Sequence, residues 1–242
     1  MYRVAWCRII EDILNDPNTL IAFIDEAAVT NCEGRKYGRA YAAITPVLNN
    51  PLSKVKMTVI AMIIPSFGVL YKFIDNACTG LQYAQFLREA VHFIRRYICN
   101  SVADIIIIED NCPMHCTKEV EKEVAALDIA LLPIVQYSPS LNGPIENYYG
   151  LVKTNNILTK GAIGEIAIRS NIESNWKETT NKLVDEELTE MLFYEWKCRM
   201  QICKKGMPIY STHEYANEEM KINLNRNLNF STNRVYNLVE TK

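Results

Sequence analysis

ADIIIIED, at residues 103–110, is the stretch on which the fold turns: four consecutive isoleucines closed by two acids. So apolar a run, short and β-branched, reads as a strand buried on both faces. LIAFIDEA at 20–27 has the same design, an apolar run that ends in acids. RKYGRAYAAITP (35–46) and KMTVIAMIIP (56–65) are two further strand candidates, each closed by proline, with NNPLSK as the turn between them. One helix precedes ADIIIIED in the chain and another follows it. TGLQYAQFLREAVHFIRRYI opens at Thr79 and spaces Leu81, Phe86, Ala90, Phe93, Ile94 and Tyr97 along a 3.6-residue stripe. TKEVEKEVAALD opens at Thr117, whose hydroxyl is expected to cap its first turn.

IALLPIV (129–135) adds a short strand, and after QYSPSLNG a last helix begins with Pro144 in its first turn. Strands first, then helix, strand, helix, strand, helix: this order predicts an α/β domain with a mixed sheet. Residues 1–19 read as an N-terminal linker or short helix, and 20–170 as the α/β domain. Residues 171–205 read as a C-terminal helical extension. Beyond Gly206 the chain turns polar and rich in asparagine, so 206–242 is expected to be a flexible tail.

The composition suits a soluble protein with a real core, 49% hydrophobic and 22% charged. A formal net charge of −2 excludes a global basic footprint for nucleic acid, leaving only a local groove for such a role. Arg35, Lys36 and Arg39, with Arg95 and Arg96, could touch phosphates, although such clusters are more often solvated faces. No apolar stretch approaches the roughly 20 residues of a membrane helix, and the start does not look like a signal peptide. Eight scattered cysteines without a framework fit a reducing, intracellular compartment.

Asp25 and Asp110 each close a strongly apolar strand. Sites in open α/β sheets form outside the carboxyl ends of strands. If the two strands are neighbours, the carboxylates share one small volume and repel unless a divalent cation neutralises them. Oxygen-only ligation would suit Mg²⁺ or Mn²⁺. Taken singly, each is more often a solvated turn residue. Spacing alone reaches a candidate metal site and stops there.

Three blocks go further: FIDEA (23–27), IIIEDNCPMH (106–115) and LPIVQYSPSLNGPIENYYGLVK (132–153). Together they resemble the catalytic core of the mariner-like, Tc-type DDE transposases. The resemblance covers roughly residues 20 to 155. In that family the first block supplies a catalytic Asp followed by Glu, matched by Asp25 and Glu26. The second supplies Asp-Asn and then His, matched by Asp110, Asn111 and His115. The third falls on Ser138, Pro139, Leu141, Asn142, Pro144, Ile145, Glu146 and Lys153. Between Asp110 and Glu146 lie 35 residues, within the narrow family range. One departure is Gly143, inserted between Asn142 and Pro144, whose flexibility is expected to absorb the extra position.

The resemblance implies a ribonuclease H-like fold, a five-stranded mixed sheet flanked by helices. It also implies that Asp25, Asp110 and Glu146 hold two Mg²⁺ ions, with Mn²⁺ able to substitute. The implied chemistry is DNA strand cleavage and strand transfer in cut-and-paste transposition. DNA, as transposon ends and target, is the implied partner of a homodimer that acts in the nucleus of a eukaryote or otherwise in the cytoplasm, without a membrane role. His115, Asn142 and Lys153 are the expected substrate-binding residues. Cys112-Pro-Met-His-Cys116 offers metal-ligand residue types but no second ligand pair, so zinc is disfavoured there. The chain begins almost at the core, so an N-terminal helix-turn-helix region is expected to be missing. The alternative is a domesticated, inactive relative that keeps the fold for DNA binding or assembly. A general nuclease of the same fold is a third reading.

Overall fold

A computed structural model describes residues 2–30, 55–98, 104–136, 138–155, 164–206 and 235–237. The strand expected at 35–46, with Arg35, Lys36 and Arg39, lies outside the described residues. The sheet has the order β5-β4-β1-β2-β3-β6. Its strands are β1 (Thr19–Thr30), β2 (Lys56–Ile64), β3 (Gly68–Asp75), β4 (Asp104–Glu109), β5 (Ala130–Pro133) and β6 (Val235–Asn237). β1, β2 and β3 form an antiparallel meander, and β4 and β5 join β1 in parallel on the other side.

Two differences from the sequence reading stand out. GVLYKFID forms β3, because the chain reverses within Pro65–Phe67 and resumes a strand at once. The sheet also gains a sixth strand, since Val235–Asn237 lies parallel to β3 rather than in a loose tail.

Two apolar clusters cover the two faces, as expected for a sheet buried on both sides. On one face, Ala22, Ile24, Ile105 and Ile107 pack with α2 (Gly80–Tyr97) and α3 (Lys118–Leu127). On the other, Phe23, Ala27 and Ile108 pack with α1 (Tyr2–Leu14), α4 (Gly143–Asn155), α5 (Glu165–Leu183) and α6 (Glu186–Lys204). The outer segments are therefore part of the core. α1 buries Trp6, Cys7 and Ile10 in it. The boundary expected at 170/171 falls inside α5, which buries Ile168 and Trp176 from its two halves.

α2 starts with a capping box in which Thr79 and Gln82 each bond the other's backbone N–H. The same device is absent from α3. Thr117 occupies the N-cap position but makes no capping bond; its Oγ1 is buried without a hydrogen-bond partner. The reason is the close approach of α2: a Cβ placed on Gly80 would meet Thr117 Oγ1 at 2.3 Å. Gly80→Ala is accordingly expected to destabilise the protein by about 1–3 kcal/mol through overpacking. Chemical denaturation measures this, and an unchanged midpoint would show that the two helices separate freely.

Candidate metal centre at the edge of the parallel strands

Strand register brings the first two acids together. The parallel β1–β4 pairing runs from Thr19↔Asp104 to Phe23↔Ile108. Two residues further along each chain stand Asp25 and Asp110, so the register that aligns the isoleucines also sets these acids side by side. β1 does not end there, contrary to expectation: it continues to Thr30 against β2 alone, and Asp25 pairs with Ala61. β4 stops at Glu109, one residue before Asp110.

Alternation along β1 then divides the acids. Asp25 shares parity with Phe23 and Ala27, on the face that carries α4. Glu26 shares parity with Ala22 and Ile24, on the face of α2 and α3.

On the α4 face, Glu146 lies in the first turn of α4 and is exposed. Burial is the main cause that pushes the Asp25 carboxyl up to about 8. A bond from the Glu26 backbone N–H (2.7 Å to Oδ1) opposes this, and the charges of Glu26, Glu146 and Asp110 add to it. Glu146 and Asp110 thus both act electrostatically on Asp25. Tyr149, from the same helix as Glu146, donates its hydroxyl to Asp25 O (2.6 Å) and sits 3.2 Å from Val59 O, pinning β1 and β2 behind the site. Gly143 differs from the expectation placed on it. It has ordinary right-handed helical angles (φ −51°, ψ −44°) and simply serves as the first residue of α4.

The opposite face holds a buried network that the sequence reading did not assemble. Tyr83 donates to Glu109 Oε2 (2.5 Å) and stacks on His115, with ring centroids 4.3 Å apart. His115 Nε2 lies 3.0 Å from Glu26 Oε1, and Nδ1 lies 3.2 Å from Asp110 O and 3.3 Å from Asp110 Oδ1. Burial lowers the His115 pKa, but the hydrogen bond and charge of Glu26, with Glu109, outweigh it and hold the group at about 9. The only sequence hint was that Tyr83 and Glu26 fall at inward positions of a helix and a strand.

The expected substrate contacts divide in the same way. His115 is 3% exposed, with Nδ1 near Asp110 O and Nε2 near Glu26 Oε1. Asn142 is 1% exposed, with its Nδ2 directed at Ile24 O (3.4 Å). Lys153 is exposed on α4, two turns beyond Glu146, so both project from one side of that helix. Asn111 extends the β4–β5 pairing, donating Nδ2 to Ile134 O (2.5 Å). The SPSLN loop is held from α1, where Arg3 donates to the buried Ser138 Oγ (2.7 Å) and Trp6 to Pro133 O (2.9 Å). Of the remaining basic residues, Arg95 reaches Asp128 O (3.3 Å) and Arg96 lies over the Tyr97 ring.

A mixed sheet with helices on both faces and acids gathered at the edge of its parallel strands is the ribonuclease H-like class. Residues 20–162 match the family model described as DDE superfamily endonuclease, and the chain belongs to that family. No protein with a curated description is recognisably similar in sequence. Among solved structures, the catalytic domain of Mos1 mariner transposase is similar at 16% identity and a TM-score of 0.64, over 86% of this chain and 94% of that one. The Mos1 mariner paired end complex with Mn is similar at 17% identity and a TM-score of 0.65, over 84% of this chain. The present chain spans 61% of the length of the chain in that complex. A third similar structure, of the Mos1 catalytic domain and Raltegravir with Mg, has 15% identity and a TM-score of 0.61, over 86% of this chain and 94% of that one. Among the described residues, no helix is long and apolar enough to cross a membrane.

Proposed function

We propose that this chain is the catalytic domain of a mariner-like transposase. It would cut DNA strands at element ends and join them to a target, in a dimeric assembly. The observation that carries this reading is the register that sets Asp25 beside Asp110, with Glu146 within electrostatic reach on α4.

The donor set fits a hard divalent cation. A half-buried carboxyl crowded by three other acids is costly when ionised, and an ion between them would remove that cost. Asp25, Asp110 and Glu146 offer oxygen alone, which suits Mg²⁺ or Mn²⁺. The solved relatives carry Mn and Mg in keeping with this. Paired ions at such a site stabilise the attacking and leaving oxygens of an in-line phosphodiester displacement. The protein's own part is positioning. Tyr149 fixes the backbone of Asp25, Asn142 braces β1 at Ile24, and α4 presents Glu146 from the side. Lys153 is placed to meet a DNA phosphate beside the site.

Nicking of supercoiled plasmid, in Mg²⁺ or Mn²⁺ against an Asp110→Ala variant, tests the reading. Wild type is expected to nick and the variant to be inert. Joining of pre-cut ends to a target then distinguishes a transposase from a general nuclease. Absence of nicking by a folded wild-type chain with either cation would favour an inactive relative.

A further inference from the structure

The DNC-PMH turn after β4 carries chemistry that the cleavage site does not use. Cys112, Asp110 and His115 each offer one ligand atom, and the three atoms lie within 4.8 Å of one another. Ligands 2.0–2.3 Å from a tetrahedral zinc ion stand roughly 3.5 Å apart, so the three side chains would draw together around a bound ion. The local fold builds this arrangement. Asp110 Oδ1 accepts the Cys112 backbone N–H (2.9 Å), and Pro113 begins a 3-10 turn that carries His115 back beneath Asp110.

The orientation of the histidine favours a metal ligand. The nitrogen facing Asp110 is Nδ1, while Nε2 is held by Glu26 Oε1 at 3.0 Å. A carboxylate on the far nitrogen is the usual partner of a metal-ligating histidine, fixing its tautomer and orientation. Sulfur, nitrogen and oxygen donors together select zinc-like ions, not Mg²⁺.

We propose that Asp110, Cys112 and His115 form a second metal site, specific for Zn²⁺ or a similar thiophilic divalent ion. Binding releases the Cys112 thiol proton and the Nδ1 proton of His115 to solvent. Because Asp110 belongs to both sites, Zn²⁺ bound here withdraws it from the hard-cation site and inhibits cleavage. This inhibitory consequence rests on the assignment of Asp110 to the cleavage site. The binding itself does not.

Co²⁺ titrated into the reduced, chelator-stripped full chain reports the site directly. Wild type is expected to take up one Co²⁺ with visible tetrahedral bands and a near-ultraviolet thiolate-to-cobalt absorption, both erased by one equivalent of Zn²⁺. Cys112→Ala and Cys112→Ser, checked for folding by near-ultraviolet circular dichroism, are expected to lose the thiolate absorption. A wild type without that absorption, or variants that keep it at full strength, would overturn the proposal. Electron paramagnetic resonance of bound Mn²⁺ separates the two sites: Zn²⁺ should release Mn²⁺ from wild type. Mn²⁺ held undisturbed beside bound Zn²⁺ overturns the shared use of Asp110. If wild type holds no Mn²⁺ at all, the cleavage reading fails while the cobalt result stands.

Discussion

Asp25→Asn is expected to lower metal-dependent DNA cleavage about a thousandfold or more, the several kcal/mol of charge stabilisation that a mispositioned ion forfeits. The same variant is expected to melt at a higher temperature than wild type in chelator at pH 8. Both effects have one cause. Loss of solvent around the half-buried Asp25 carboxyl, and then the charges of Glu26, Glu146 and Asp110, raise it from 3.8 to about 8. An acid whose pKa is higher in the folded chain than in the unfolded one favours unfolding once the unfolded form ionises. Stability from this group therefore declines as pH rises above about 4, and the loss is complete only above about 8. Asparagine cannot ionise and escapes this loss. Melting curves in chelator at pH 5 and pH 8 measure it, and the gap between variant and wild type should widen at pH 8. Added Mn²⁺ should raise the melting temperature of wild type but not of the variant. A variant less stable than wild type at pH 8 would show that Asp25 is compensated by something other than a cation.

Trp196→Ala is expected to cost about 3–5 kcal/mol of stability, the usual range for emptying a large aromatic site in a core. Trp196 is 1% exposed, meets Phe23 edge-on at 4.8 Å and stacks on Phe193 at 5.5 Å. Its indole donates to Leu141 O (2.7 Å), in the turn that leads into α4. One side chain of α6 thus ties β1, which carries Asp25, to the entrance of the helix that carries Glu146. Trp196→Phe keeps most of the ring packing but strands the Leu141 carbonyl, at a cost of about 1–3 kcal/mol. Denaturant unfolding gives both values. Cleavage by the folded Phe variant should fall as well, because the turn before Glu146 loses its anchor. Full activity in that variant would separate α6 from the site.

These two residues also mark how far the sequence could be read. The apolar runs ending at Asp25 and Asp110 were legible because a doubly buried strand leaves no polar face. The helix at Thr79 was legible from the middle of its stripe, Phe86, Ala90 and Ile94, although Leu81 and Tyr97 at its ends are exposed. β3 was hidden by a turn so short that Pro65 looked like a terminus rather than a reversal. The support of the site by α1 and α6 was hidden for a different reason. Trp6 and Trp196 bond backbone carbonyls 127 and 55 residues away, and no local pattern encodes such a pairing. The same holds for His115 and Asn142. The family resemblance singled them out, yet their burial and their contacts with Glu26 and Ile24 emerge only in the fold. The division of acids between the two faces follows from strand parity alone. It gains meaning once Tyr83 and His115 are seen beneath Glu26 and Glu109.

The central claim is that the Asp25 side chain ligates the ion that drives cleavage. Asp25→Cys exchanges a hard oxygen ligand for a soft sulfur, which tolerates Mn²⁺ or Cd²⁺ far better than Mg²⁺. Plasmid nicking by this variant, measured in each cation against wild type, tests the claim most directly. The account predicts an inert variant in Mg²⁺ that regains cleavage in the softer ions. Equal loss in every cation, or full activity in Mg²⁺, would contradict it.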